Sequence, residues 1–400
     1  MRKLFVLGMA ALLLVAFAVP AMADVKIGGI IFTDFYYLDR DTANSTWRGY
    51  GGDSFTQTAI QVPNITRLYG RWTNEDNVGM YIEFGLGQGT GNTINSSSDN
   101  DFSAVVRHAY GWWDVNPMFT IMAGHSTTPF SPLNPSQLIG TRSGSVNIIG
   151  VGYGDFYSGR FAQVRGTFKF GKAARLEIAL VDPNGTLAGG SYGPWTGQGG
   201  EAVGYQTNTK IPRIDISVPI YLGPVHLYPG FLYQHRTVDR LGTAYAGVDN
   251  SIDTWIGTLG AKLGLGPFGL SGEFNYGENW GNTRGLAGTS PSIIGGMASA
   301  TLKNNGQIHD AETYSFWVEL SYKFGPITPS LMYGQQKSEN ETAAGVDRDI
   351  RTQMWGISVP IDLAKGFRVR PELMWYDDGD DLGVDYGKYA IYGVQFQITF

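Results

Sequence analysis

The chain has 400 residues, of which 56 are glycine, 13% are aromatic and only 16% are charged. Ordinary globular domains contain roughly 25% charged residues, so this composition is unusual for a globular domain. The chain has no cysteine, which excludes a disulfide scaffold, a lipoprotein and a covalent haem carrier. The formal net charge of −6 argues against nucleic-acid binding.

The first 23 residues have the pattern of an export signal. Arg2 and Lys3 precede an apolar stretch from Leu4 to about Val19, and residues 21–23 (Ala-Met-Ala) form a small-x-small cleavage site. A membrane anchor is the alternative, but the apolar stretch is short and no stop-transfer pattern follows it. We therefore predict a signal peptide over residues 1–23 and one mature domain over residues 24–400.

Segments in which apolar and polar residues alternate follow one another along the mature chain, which is the pattern of β-strands. In a clear example, Phe316, Val318 and Leu320 alternate with Trp317 and Glu319. Sixteen segments are predicted, with approximate spans 25–40, 57–72, 77–88, 104–114, 118–127, 158–170, 174–182, 206–222, 225–238, 252–265, 267–279, 311–324, 327–337, 348–363, 366–377 and 386–400.

These segments predict an all-β fold in the membrane. No stretch after residue 23 is apolar for the 18 residues that a membrane helix needs. Since lipid offers no partners for free backbone groups, strands cross a membrane only as a closed barrel. We predict a 16-stranded antiparallel transmembrane β-barrel, with apolar side chains towards lipid and polar side chains towards a lumen.

Short and long connections alternate between the predicted strands, which predicts their orientation. The long connections include residues 183–205 and 280–310. Because both termini then lie at the short-turn end, the pattern matches periplasmic turns and extracellular loops. The short connections are Thr73–Asn77, Val115–Pro117, Gly171–Ala173, Gly223-Pro224, Gly266-Pro267, Gly325-Pro326 and Ala364-Lys365.

The last segment alternates up to the carboxyl terminus, with Tyr392, Phe396, Ile398 and Phe400 on one face. In a soluble protein this face would lie on an exposed sheet edge, whereas a barrel pairs the last strand with the first. The ending resembles the terminal signature of bacterial outer-membrane barrels, which carry a C-terminal Phe. The predicted location is therefore the outer membrane of a Gram-negative bacterium.

The third long connection, residues 127–157, is too rich in Leu, Ile and Val for a solvent-exposed loop, and three prolines stiffen its beginning. General bacterial porins fold their third external loop into the barrel to form a constriction. The chain resembles that family in signal peptide, strand count, terminal Phe and the placement of this loop. The acidic pattern that many of those porins carry at the loop tip is missing here. The resemblance implies an inward-folded third external loop, with Pro129, Pro132, Pro135, Arg142 and Asp155 as its constriction residues.

Residues assigned to the lumen by strand alternation are mostly basic. The inward basic residues are Lys26, Arg67, Arg71, Arg107, Arg165, Lys169, Arg175, Arg213, Lys262, Lys323, Arg368 and Arg370. The inward acidic residues are Glu83, Glu177, Asp215, Glu273, Glu319 and Glu372. One interpretation is that these charges only solvate the interior and pair locally, as Arg213 with Asp215 or Arg370 with Glu372. The other is that Arg67, Arg107 and Arg165 form a basic wall opposite the loop, which would make the pore slightly anion-leaning.

The predicted function is a water-filled pore for passive diffusion of small hydrophilic solutes and ions. An outer-membrane enzyme of the protease or phospholipase kind is one rival, but no Ser/His/Asp set can be placed together. A barrel sleeve around a partner, such as a porin-cytochrome conduit, is the second rival. That role calls for a wider barrel, and the chain has no CxxCH haem motif.

The sequence predicts no catalytic residue, metal or cofactor, because the five histidines show no metal-ligand spacing. Acidic residues crowd positions 377–385, but their spacing does not match an EF-hand loop, so a solvated acidic tip is preferred to a divalent-cation site. The expected partners are outer-membrane lipid and lipopolysaccharide, together with the permeating solutes and ions. Monomer and homotrimer both remain open.

Overall fold

The computed structural model describes residues 24–47, 51–63, 65–88, 102–136, 139, 150–183, 205–240, 251–283, 298–303 and 307–400. The predicted signal peptide, residues 1–23, lies outside the described residues, as does Arg142 of the predicted constriction loop. Both therefore stay predictions.

The described residues form one closed antiparallel barrel. Its strands are β1 (Asp24–Arg40), β2 (Phe55–Gln61 and Arg67–Thr73), β3 (Val78–Gln88), β4 (Phe102–Asn116), β5 (Phe119–Thr127), β6 (Arg160–Phe170), β7 (Ala174–Val181), β8 (Tyr205–Asn208, Arg213–Ser217 and Ile220–Leu222), β9 (Val225–Arg240), β10 (Ser251–Leu265), β11 (Phe268–Glu278), β12 (Glu312–Tyr322), β13 (Ser330–Glu341), β14 (Asp347–Ser358 and Ile361–Ala364), β15 (Phe367–Asp377) and β16 (Lys388–Thr399). The strand β16 pairs with β1 from Thr399 opposite Ile30 to Tyr389 opposite Arg40, which closes the barrel. The predicted all-β, 16-stranded antiparallel barrel is confirmed.

Three strands are interrupted, and each interruption contains a proline. Pro63 lies between the two segments of β2, Pro212 and Pro219 lie between the segments of β8, and Pro360 divides β14. Proline has no N–H to donate to a strand ladder, so the ladder breaks at these positions while the strand direction continues. The predicted spans agree with the observed strands within a few residues; the thirteenth strand is the largest difference, because it begins at Ser330 and extends to Glu341.

The outer surface carries the apolar residues that the alternation predicts. Phe35, Leu259, Phe274 and Trp355 are exposed on it, and Phe400 is 64% exposed beside the seam between β16 and β1. Asp24 pairs with Thr73 beside the first short turn, so the amino end of β1 lies at the short-turn end of the barrel.

Small additional elements lie in the long connections. The helix α1 (Thr42–Trp47) follows β1, and its first turn is capped by the Asp41 carboxylate, which accepts a hydrogen bond of 2.8 Å from the Asn44 N–H. A 3-10 helix (Trp280–Asn282) follows β11. Thr301–Leu302 pairs with Ile308–His309, and Asp380–Asp381 pairs with Val384–Asp385, forming two short hairpins. None of the helices in the described part of the chain is long and apolar enough to cross a membrane.

The interior differs from the expectation of a uniformly polar lumen. On one side of the barrel, apolar side chains also point inwards and are buried, at positions that have the same strand alternation as the predicted lumen residues. These residues are Tyr36, Leu38, Leu232, Ile256, Met332, Met354, Met374 and Ile391. They are buried because the connection between β5 and β6 packs against them.

Candidate functional site

The described residues 128–136, 139 and 150–159 of the connection between β5 and β6 lie against the inner wall of the barrel; we call them the inner segment. Its first half binds three glutamates on three different strands. The Ser131 hydroxyl donates to Glu273 of β11, the Ser136 N–H donates to Glu319 of β12 at 2.8 Å, and the Ile139 N–H donates to Glu372 of β15 at 2.7 Å. The first half therefore crosses the wall that contains β11 to β15.

The second half of the inner segment returns across the same wall. The Ser315 hydroxyl of β12 donates to the Gly154 carbonyl at 2.8 Å, and the Thr352 hydroxyl of β14 donates to the Gly152 carbonyl. The Tyr153 hydroxyl donates to the Asp378 carboxylate after β15 and lies 3.2 Å from the Tyr389 hydroxyl of β16. Side chains of the wall therefore satisfy backbone groups that water would otherwise have to solvate.

Two apolar clusters hold the inner segment in place. In the first, Phe156 packs edge-on against Phe130 at 5.4 Å and against Trp280 at 5.2 Å between ring centroids. In the second, Tyr153 packs on Tyr376 at 4.9 Å, among the buried methionines of β13, β14 and β15. Each fully buried large apolar side chain contributes up to roughly 1.5–3 kcal/mol, so these clusters favour the folded position of the segment.

Two glycines allow the backbone of the inner segment to touch the wall. Gly154 has a φ of +127°, and a Cβ there would lie 2.3 Å from the Phe316 carbonyl oxygen. A Cβ on Gly334 of β13 would lie 2.2 Å from the Tyr153 carbonyl oxygen. Since side chains cannot be accommodated at these distances, glycine is required at both positions.

Asp155 of the predicted constriction is completely buried between the inner segment and the wall. Its carboxylate accepts a hydrogen bond of 3.2 Å from the Tyr157 N–H. Burial and the nearby Glu273 carboxylate hold the pKa of Asp155 well above its ordinary value. Among the prolines, Pro129 and Pro135 are buried and Pro132 is exposed.

Arginines dominate the opposite wall, formed by β2 to β7. Arg107 donates to Glu83 at 2.7 Å, and Arg67 lies 3.8 Å from the same carboxylate. The Arg165 guanidinium donates to the Gln163 side chain at 2.8 Å and to the Thr127 carbonyl. Arg67 and Arg107 therefore share one acidic partner rather than standing unpaired.

A β-bulge fixes the direction of Arg107. The ladder between β3 and β4 shifts register between Glu83 and Phe84, so that His108 faces Glu83 while Val106 faces Phe84. Arg107 is the extra residue, and its bond to Glu83 shows that it points inwards together with His108. Arg107 was predicted to face the lumen, and the bulge places Arg107 and His108, two consecutive side chains, on the inner face.

Most of the other predicted lumen residues have local partners, whereas Lys262 and Lys323 are exposed. The distances are 3.0 Å for Lys169 to Asp114, 2.7 Å for Arg213 to Asp215, 2.6 Å for Arg368 to Asp362, 3.0 Å for Arg175 to Glu177, 3.2 Å for Lys26 to Asp24, and 3.0 Å for Arg370 to the Ser136 carbonyl. Arg213 and Asp215 form two parallel bonds and are completely buried, so this predicted local pair is present. Arg71 is exposed, and its guanidinium lies 4.7 Å from the Trp112 ring centroid.

The acidic residues at positions 377–385 bind neighbouring side chains. Arg348 binds Asp381 at 2.9 Å, Lys388 binds Asp377 at 3.1 Å, and Asn44 donates to Asp378 at 2.8 Å. No group of three or more acidic or histidine side chains that could hold a metal ion occurs among the described residues.

A closed barrel with an apolar outer surface, a charged inner face and an inner segment is a transmembrane channel of the outer-membrane type. The family model for Gram-negative porins matches residues 10–396, so the chain belongs to that family and is an outer-membrane channel. No curated protein matches this chain in sequence.

Solved structures show the same fold at low sequence identity. The outer membrane channel DcaP of Acinetobacter baumannii is 18% identical, with a TM-score of 0.65 over 96% of this chain and 99% of that one. The anion-selective porin from Comamonas acidovorans is 14% identical, with a TM-score of 0.59 over 94% of this chain and 100% of that one. OmpT of Vibrio cholerae, solved in a trimer form, is 12% identical, with a TM-score of 0.54 over 95% and 100% of the two chains.

Proposed function

We propose that this channel passes small hydrophilic solutes and ions by passive diffusion, with a slight preference for anions. The observation that carries the proposal is an asymmetry between the two walls. The inner segment binds Glu273, Glu319 and Glu372 on one wall, while Arg67, Arg71 and Arg165 lie on the other. Because these acidic side chains are covered by the segment, we expect the accessible part of the lumen to be more positive than the whole chain, whose net charge is −6.

The expected preference is modest for two physical reasons. Several of the basic residues have an acidic partner, as Arg107 has Glu83. In addition, a unit charge 4 Å away contributes only about 1 kcal/mol in bulk water and about 4 kcal/mol near a protein surface, before salt screens it over roughly 10 Å at 0.1 M. The charges would therefore bias ions without excluding either sign.

Planar-bilayer recording with a KCl gradient tests this function. We expect stepwise conductance increases and a reversal potential displaced towards the equilibrium potential of chloride. A reversal potential displaced towards that of potassium would overturn the anion preference, and the absence of conductance by the folded protein would overturn passive diffusion. Groups of three equal steps would support the homotrimer that we propose by comparison with the trimer form of OmpT.

The proposed pore has no catalytic role, and we propose that residues 1–23 are removed during export. N-terminal sequencing of the protein from outer membranes should then begin at Asp24. The sleeve around a partner protein is disfavoured because the inner segment already occupies part of the barrel interior, against β1 and β9 to β16. Copurification of a stoichiometric partner from the outer membrane would support that rival instead.

A further inference from the structure

Four aromatic side chains follow one another on the inner wall of β2, β3 and β4: Tyr69, Tyr81, Tyr110 and Trp112. We call them the aromatic row. Successive ring centroids are 6.0, 5.6 and 6.0 Å apart, and successive ring planes are inclined by 30°, 39° and 49°. Neighbouring rings are therefore tilted relative to one another, neither stacked nor edge-on.

The aromatic row faces the lumen. Tyr69 and Tyr81 have the same strand alternation as Arg71 and Glu83, which face inwards. Tyr69 pairs with Gly28 of β1, and Tyr81 pairs with Tyr110 across the ladder between β3 and β4. All four rings are half-buried. The contacts of the inner segment described above are made with β1, with β9 to β16 and with the loops beside them, and none of those contacts involves the four rings.

Packing explains part of this arrangement. A Cβ on Gly79 would lie 2.1 Å from the Trp112 ring, so this glycine lets the indole lie across the neighbouring strand. Packing alone does not require an exposed cation on top of the ring. Arg71 supplies that cation, with its guanidinium 4.7 Å from the Trp112 centroid.

Arg71 is placed to receive an anion. Asp114 lies two residues beyond Trp112, but its carboxylate already binds Lys169 at 3.0 Å and accepts a bond from Thr120. At the other end of the row, Glu83 accepts a bond of 2.7 Å from Tyr81 and neutralises part of the charge of Arg67 and Arg107. A guanidinium binds a carboxylate through two parallel N–H bonds, and an aromatic face stacks on a planar ring.

We propose that Arg71 and the aromatic row form a binding surface for aromatic carboxylates, planar anions of the benzoate type. The carboxylate binds Arg71 and the ring stacks on Trp112 and Tyr110. This inference names a solute class for the anion-preferring pore and therefore rests on the proposed function.

Blockade of chloride current in planar bilayers tests the surface, with benzoate as probe and cyclohexanecarboxylate as the saturated anion of the same charge. We expect benzoate to reach half-blockade at an about five- to tenfold lower concentration, since stacking is available to benzoate alone. The double variant Tyr110→Leu/Trp112→Leu should remove this difference. Arg71→Gln should weaken blockade by both anions.

Two matched controls separate binding from general damage. Trp113→Leu changes the neighbouring tryptophan, which is 48% exposed on the outer face, and should keep the difference between the two anions. Arg368→Gln removes one arginine from β15, where it binds Asp362 at 2.6 Å, and should not weaken blockade as Arg71→Gln does. Equal blockade by the two anions in the wild type, or a difference that survives Tyr110→Leu/Trp112→Leu, would overturn the proposal. Stronger blockade by glucose than by benzoate would indicate a sugar site instead.

Calorimetric titration of benzoate into the purified protein distinguishes failure of this site from failure of the proposed function. Binding that is lost in Arg71→Gln, in a channel that prefers cations, would support the site and reject the anion preference. An anion-preferring channel that binds benzoate no better than cyclohexanecarboxylate would reject the site and keep the function.

Discussion

At the scale of single residues, Glu83 determines how much positive charge the arginine wall keeps. This one carboxylate binds Arg107 at 2.7 Å, lies 3.8 Å from Arg67 and accepts a hydrogen bond from Tyr81. Two arginines thus face one carboxylate, so the group remains positive although each arginine has an acidic neighbour. Partial pairing also reduces the cost of holding like charges on adjacent strands.

Replacing Arg67, Arg107 and Arg165 together by glutamine removes three positive charges from the inner face. We expect the reversal potential in a KCl gradient to move towards the equilibrium potential of potassium. This displacement should be smaller at 1 M than at 0.1 M salt, because the screening length falls from about 10 to about 3 Å. Lys337→Gln is the control, since Lys337 binds Glu339 at 2.6 Å on the outer-face alternation of β13. Identical reversal potentials in wild type and triple variant would show that these arginines do not govern the field.

The buried Asp155 carboxyl is expected to make the stability of the folded protein depend on pH. Its pKa is raised in the folded protein by burial and by Glu273, so the folded state holds a proton that the unfolded state releases. Its contribution to stability is therefore greatest at low pH and falls as pH rises from the ordinary aspartate pKa of about 3.9 towards the raised value. Asp155→Asn should remove this fall, which urea unfolding in detergent at pH 4 to 8 would measure. A pH profile unchanged by Asp155→Asn would contradict the assignment.

At the scale of elements, the inner segment makes two kinds of contact with the barrel wall. Its apolar side chains pack on β1 and on β9 to β16, and its backbone and serines bind the glutamates of β11, β12 and β15. We expect the packing to narrow the interior and the hydrogen bonds to cover acidic charge. Removing the segment should therefore change both conductance and ion preference.

Deletion of residues 133–148 is expected to raise single-channel conductance. It should also move the reversal potential towards the equilibrium potential of potassium, because Glu319 and Glu372 lose the partners that the segment provides. A deletion of similar length within residues 284–297, in the connection between β11 and β12, is the control and should change both quantities less. Unchanged conductance in a correctly folded deletion variant would show that the segment does not narrow the pore.

At the scale of the whole molecule, closure depends on the seam between the last and first strands. Beyond the register of β16 with β1, the Phe400 N–H donates to the Gly29 carbonyl and the Gly29 N–H donates to the Phe400 carbonyl, both at 3.1 Å. The last residue thus completes the ladder at the short-turn end. In lipid, unpaired groups at this seam cost several kcal/mol each.

Deleting Phe400 should lower the yield of folded barrel, because two seam hydrogen bonds and an outer-face ring are lost together. The measurement is the fraction of heat-modifiable, folded protein on gel electrophoresis after refolding into detergent. Phe400→Leu, which keeps the backbone bonds, should retain most of that fraction. Equal folding of the deletion variant and the wild type would mean that closure does not need the terminal residue.

The sequence by itself determined the barrel. Strand alternation with a period of two, prolines at turns and breaks, and the alternation of short and long connections are local properties, so they can be read along the chain. The same parity placed Arg67, Arg71 and Glu83 on the inner face. The strand count, the pairing of the last strand with the first and the apolar outer surface follow from these local signals.

Only the tertiary structure decided which inward residues meet each other. Alternation gives the face on which an apolar residue lies but not the group that covers it, so the contacts of Met354 and Leu232 were not predictable. The bulge at Arg107, the burial of Asp155 and the row from Tyr69 to Trp112 likewise depend on register between distant segments. The chain pattern fixes the direction of each side chain, whereas its partner depends on how the strands are staggered when the barrel closes.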